Sequence, residues 1–198
     1  MNRLFANISL LFLFLFLAPV FAIAQSTNLL QNPGAEMNAE HWQAFGQATI
    51  EEFDGKRSFV VRGGGYFLQD VLLPEGAAGQ YVVLMGHGSS ERINADGAIT
   101  GLPYLYGYMM ASDKPNGDRI FDYLQGQRML SSAKVANEWV KMWGIFKVPV
   151  GASTIRFFLN QALRGGVPHN GSAARFDDLG LYLFATKEEA QAFVDQYN

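Results

Sequence analysis

The sequence contains no cysteine. That excludes disulfides, thiolate zinc sites and a cysteine nucleophile. Charge is sparse as well, at 17% of residues with a formal net charge of −3. Nucleic-acid binders carry a basic patch or stripe, so a chain this poor in positive charge is not expected to take a nucleic-acid partner. Histidine is scarce: His41, His87 and His169 stand far apart, without the spacing of a His-Glu-x-x-His metal site. Apolar and aromatic residues are plentiful instead, at 49% and 14%. Such a chain can bury enough surface to fold, which excludes a disordered protein. Its 198 residues give room for one ordinary domain.

The first residues read as an export signal. Arg3 supplies the positive start, Leu10 to Ala18 is an unbroken apolar run, and Ala22-Ile23-Ala24 gives the small-x-small cleavage pattern. Ser9 and Pro19 interrupt the apolar stretch, which leaves it short for a membrane span. The expected organisation is a signal peptide over residues 1–24 and one mature domain over 25–198, secreted or periplasmic and not embedded in a membrane after cleavage.

The mature part reads as strands. Turn signals recur at Asn32-Pro33-Gly34, Asp54-Gly55, Gly63-Gly64-Gly65, Asp96-Gly97, Pro115-Asn116-Gly117, Gly165-Gly166 and Asn170-Gly171. Between them lie short alternating runs rich in aromatic and β-branched residues, predicted as strands near 48–53, 58–62, 66–72, 81–85, 104–110, 120–124, 139–148, 154–159 and 175–184. So many strands without helices between them imply an all-β sandwich or barrel. The tail differs. Thr186 and Glu189 have capping-box spacing, and Ala190, Phe193, Val194 and Tyr197 follow at helical spacing, which predicts a short C-terminal helix over 186–197.

Alternation also assigns faces. On the strand from Trp139, the set Val140, Met142, Gly144, Phe146 and Val148 is uncharged and is placed in the core. The other set, which includes Lys141, Trp143 and Lys147, is placed toward water. Tyr104, Tyr106 and Tyr108 share one face of their strand. On the last strand, Leu179, Leu181 and Leu183 share one face, and Phe176, Tyr182 and Phe184 the other.

No catalytic constellation stands out. Gly86-His87-Gly88-Ser89-Ser90 lacks nucleophile-elbow spacing and reads as a loop. Gly63-Gly64-Gly65 lacks the Lys and Ser/Thr of a phosphate loop and reads as a turn. No feature selects a carboxylate pair at glycosidase separation. Binding has better support, because the apolar faces of sugar rings lie on exposed aromatics while polar side chains hold the hydroxyls. The candidates are Trp143, Tyr104, Tyr106 and Tyr108, with Arg119, Asp122, Gln125 and Gln127 as polar partners. Trp42 and Trp139 are read as structural.

Three segments then carry a resemblance. The first is Asn28-Leu-Leu-Gln-Asn32-Pro33-Gly34-Ala35-Glu36 with Trp42 behind it, and the second runs from Trp139 to Phe158 through Pro149-Val150-Gly151. The third is Arg175-Phe176-Asp177-Asp178-Leu179-Gly180-Leu181. Together they resemble the galactose-binding-like jelly-roll superfamily, and most closely its xylan- and glucan-binding carbohydrate-binding modules. The resemblance implies a jelly-roll β-sandwich and a non-catalytic module recognising a glycan or polysaccharide. A structural or protein-interaction domain of the cell envelope, with an envelope protein as partner, is the alternative on the same fold, and a polysaccharide hydrolase is a weaker third. Two adjacent acids at Asp177 and Asp178 would repel if unpaired, so a cation or backbone donors are expected beside them. The resemblance implies a structural calcium there, held by Glu36 and Asp178 with Asp177 beside them; hard oxygen ligands suit that ion.

Overall fold

A computed structural model of the chain describes residues 26–91, 101–111, 120–162 and 172–197. The expected signal peptide, Arg119 and His169 lie outside them. Eight strands follow one another: β1 (Gln43–Phe53), β2 (Lys56–Leu72), β3 (Tyr81–Ser90), β4 (Leu102–Ala111), β5 (Ile120–Leu124), β6 (Trp139–Lys147), β7 (Ala152–Ala162) and β8 (Ala174–Phe184). A 3-10 turn (Gln127–Met129) follows β5, and one helix, α1 (Lys187–Gln196), ends the chain. Among the described residues no helix is long and apolar enough to cross a membrane.

All pairings are antiparallel, in the order β5-β4-β7-β2-β8-β3-β6, with β1 beside β2. The long strand β2 is shared between two layers. Its Phe59–Val61 part pairs with β8 and its Phe67–Leu72 part with β7. The predicted turn at Gly63-Gly64-Gly65 is therefore part of one strand, and it is where the ladder folds over. Gly63 and Gly64 have φ of 54° and 82°, and Gly46 of β1 sits opposite at 60°. Backbones approach so closely here that a Cβ on Gly65 would lie 2.7 Å from Gln47 backbone atoms.

Between the layers lies a core of Phe59, Phe67, Leu84, Leu105, Met109, Leu124, Met129, Met142, Phe157, Leu159, Phe176 and Leu181. Trp42 packs into it against Phe59 and Phe157, and its Nε1 donates to the carbonyls of Gln31 and Asn32, both at 3.1 Å. The structural reading of Trp42 holds. The opening motif clasps β8: Asn28 donates to the Leu179 carbonyl at 2.9 Å and accepts from Leu181 N–H at 3.0 Å. Its resemblance to a family pattern is thus a matter of fold.

Two readings need correction. The glycine–histidine–serine stretch from Gly86 is the second half of β3 and not a loop. Phe176 belongs to the core, on the opposite face from Tyr182 and Phe184. The cause is a bulge in β8. Met85 pairs with Gly180 and His87 with Asp177, so β8 carries an extra residue, and Asp178 takes a left-handed φ of 49°. One extra residue reverses the alternation on either side.

The tail forms as predicted. Thr186 Oγ1 accepts from Glu189 N–H and Glu189 Oε2 from Thr186 N–H, each at 3.1 Å, closing the capping box. Phe193, Val194 and Tyr197 lie over Val83, Met85, Trp143, Ile145 and Phe184. Lys141 Nζ donates to the Val194 carbonyl at 2.9 Å and to that of Tyr197, placing a cation at the negative end of the helix.

Candidate functional site

The outer face of the layer β5-β4-β7-β2 is aromatic. Alternation along β4 sends Leu105 and Met109 into the core and leaves Tyr104, Tyr106 and Tyr108 half-buried on the outside. Register places Tyr106 opposite Phe158 and Tyr108 opposite Arg156 on β7 and Tyr123 on β5. The rings touch in sequence. Phe45 stacks on Tyr66 at 4.7 Å, Tyr66 meets Phe158 at 5.8 Å, and Phe158 stacks on Tyr106 at 4.5 Å with only 7° between planes. Tyr106 stacks on Tyr104 at 5.4 Å, and Tyr108 bridges Phe158 and Tyr123 at 5.3 and 6.0 Å. The strip crosses five strands, β1, β2, β7, β4 and β5. Its ends are the more open, Tyr123 at 56% and Phe45 at 39% exposure, while Phe158 is buried beneath its neighbours.

Polar groups fill the gaps. Arg156 donates to both oxygens of Asp70 at 2.6 Å, a two-pronged pair lying between the rings. That hydrogen bond raises the arginine's pKa further, and Tyr108 adds to it. Desolvation pushes the Tyr104 and Tyr106 hydroxyls up, opposed at Tyr106 by a hydrogen bond with Asn160, so both remain neutral donors. Tyr104 O–H reaches Gln125 Oε1 at 3.4 Å. Both line a cavity of about 340 Å³ with Gln127 and Leu130 at the edge of the strip. The sequence candidates Tyr104, Tyr106, Tyr108 and Gln125 are therefore brought together.

No family model matches the chain, and no curated protein does. Solved structures do. The enzymatically active domain of bacteriophage CBA120 tailspike protein 4 has a TM-score of 0.56 at 15% identity, over 79% of this chain and 21% of that one. The CBM22-1 xylan-binding domain of Paenibacillus barcinonensis Xyn10C has a TM-score of 0.51 at 17% identity, over 81% of this chain and 97% of that domain. The CBM22-1-GH10 modules of Clostridium thermocellum Xyn10B, complexed with xylohexaose, give 0.51 at 15% identity, over 79% of this chain and 28% of that one. The fold is the jelly roll of carbohydrate-binding modules. The chain thus spans about a fifth of the tailspike chain and nearly all of the xylan-binding domain.

Two site expectations fall outside the tyrosine face of this jelly roll. Trp143 projects from the other layer, as its alternation required, but α1 packs over that side and Arg128 lies 4.5 Å above its ring. It is a half-buried packing residue and not part of an open sugar platform. Asp122 is opposite Met109 in register, which turns it to the other side of β5 from Tyr123, at the exposed edge of the layer. Sequence reasoning missed Phe45, Tyr66, Phe158 and Tyr123, because only strand pairing brings them beside the β4 tyrosines.

The acids of the opening and closing motifs lie close together: Glu36 and Asp178 line one cavity, and Glu36 and Asp177 flank Gly34. Glu36 Oε1 and Asp177 Oδ1 would lie 3.5 and 3.7 Å from a Cβ on Gly34, so two carboxylates flank a gap that a side chain would fill. Burial pushes Asp177 up in pKa, and Asp178 and Glu36 add to this, while the Asp178 N–H and Lys56 oppose it. Glu36 and Asp177 thus fit a hard cation, with backbone carbonyls to complete the shell. Asp178, expected as a ligand with Glu36, lines the same cavity as Glu36, with its Oδ2 3.5 Å from His87 Nδ1. Among the described residues no three acidic or imidazole side chains gather closely enough to hold an ion by themselves.

Proposed function

We propose that the chain is an exported, non-catalytic glycan-binding module that seats a neutral polysaccharide across the tyrosine face. The carrying observation is the continuous aromatic strip from Phe45 to Tyr123, with its one embedded ion pair neutralised internally. Flat rings offer apolar area to sugar C–H faces, and the Tyr hydroxyls, Asn160 and Gln125 offer hydrogen bonds at the rim. Asp70 is held by Arg156, so it is poorly placed to act as a glycosidase acid or base. Export follows from the Arg3, Leu10–Ala18 and Ala22–Ala24 pattern.

Calorimetric titration with soluble xylan, β-glucan and galactan tests the reading. One class should bind, and Tyr106→Ala should weaken it on the order of tenfold, the scale of losing one aromatic partner. Binding to none of them would sink the reading and favour a protein partner in the envelope. A structural calcium between Glu36 and Asp177 belongs to the same proposal. Calcium should raise the melting temperature by mass action, and Glu36→Gln should lose that rise. An unchanged melting curve in calcium and in chelator would rule the ion out.

A further inference from the structure

On the layer opposite the tyrosine face, α1 covers only part of the outer surface. Its cover ends where Tyr197 stacks on His87 at 5.9 Å. Beyond that point lies an open cavity of about 340 Å³, at the small end of the roughly 300–1,000 Å³ typical of ligand pockets. Two of its walls are rings, Trp139 of β6 and Phe53 from the end of β1, 6.5 Å apart and tilted at 53°. Trp139, read from sequence as structural, is half-buried and faces this cavity.

The rest of the lining has a surplus of negative charge. Asp54 and Asp178 face one ammonium, that of Lys56, with Asp177 on the side toward the Glu36 gap; among the described residues Asp54 is in no ion pair and Asp178 meets only the His87 imidazole, at 3.5 Å. The nearby Arg175 does not make up the difference: it is paired with Glu91 at 3.2 Å and lies 4.2 Å over the Phe53 ring. His87 lines the cavity, and its Nδ1 lies 3.5 Å from the Asp178 carboxylate without a hydrogen bond.

We infer that this cavity is a second ligand site, for a single protonated amino-sugar unit. Carboxylates only accept hydrogen bonds, so the ligand must donate, and their excess over the one ammonium favours a cation. A metal ion does not fit, because calcium takes six to eight oxygens and the aromatic walls supply none. A cation on a flat ring does fit: the ammonium meets the carboxylates and the rings, and the sugar hydroxyls meet His87 and Lys56. The inference does not depend on the tyrosine face binding polysaccharide.

Calorimetric titration of the protein with glucosamine tests it, with N-acetylglucosamine as the neutral analogue of the same ring and lysine amide as an ammonium without a sugar. Glucosamine should bind, and its affinity should fall with added salt. Trp139→Ala should weaken it about tenfold, and so should Asp54→Asn, an exposed turn position whose left-handed φ of 53° asparagine tolerates. Tyr106→Ala should leave it unchanged, which separates this site from the tyrosine face. The inference is overturned if glucosamine does not bind, if N-acetylglucosamine or lysine amide binds equally well, or if neither Trp139→Ala nor Asp54→Asn changes the affinity.

Discussion

Asp70 is the residue on which the charge of the tyrosine face depends. It holds Arg156 through two hydrogen bonds, and neither group is deeply buried. Such a pair at the surface adds little to stability, with a median near 0–1 kcal/mol. Its effect on recognition is larger, because a face with no net charge attracts no charged chain and repels none. Asp70→Asn frees the Arg156 guanidinium among the rings, where it can meet a carboxylate two-pronged. We expect this variant to keep its melting temperature within a few degrees and to gain affinity for a uronic-acid polysaccharide. That gain should vanish at high salt. Retention of the wild-type preference in calorimetry would mean that Arg156 does not face the ligand.

At the scale of the element, β1 and β2 form the hinge on which the two layers fold together. Arg62 donates to both carboxylate oxygens of Glu51 across this pair. That bonding lowers the Glu51 pKa, against an opposing push from burial. A depressed carboxylate contributes stability above its unfolded pKa, and the contribution is lost as pH falls through the folded value. Arg62→Gln should therefore melt below wild type at about pH 7, and the gap should close below about pH 4. A gap independent of pH would assign the loss to packing of the arginine stem. The hinge was hidden in the sequence because its glycines signal a turn and a strand bend alike. The β4 tyrosines were legible as one face of a strand, since alternation is local. Their outward direction was not, because it depends on Phe158 and Tyr66 from strands far away in the chain. Trp143 shows the converse: its direction followed from alternation, but the helix that covers it begins more than forty residues later. The bulge at Asp178 carries no residue signal, and that single insertion misplaced Phe176.

At the scale of the whole molecule, the two outer faces are separated by the core. The tyrosine strip lies on the β5-β4-β7-β2 layer, whereas α1 lies on β3, β6 and β8. The helix therefore serves stability without touching the polysaccharide face. It covers Val83, Met85 and Phe184 with Ala190, Phe193 and Val194, and each large apolar side chain fully buried contributes roughly 1.5–3 kcal/mol. Removing residues 185–198 should lower the melting temperature by roughly 5–10 °C, given about 2–4 °C per kcal/mol for a domain of this size. It should also shift Trp143 emission to the red as that ring meets water. Polysaccharide affinity measured below the new melting temperature should stay within about twofold of the intact chain. If affinity collapsed while the truncated chain remained folded, the two faces would be coupled through the core. Binding would then belong to the sandwich as a whole and not to the tyrosine strip alone.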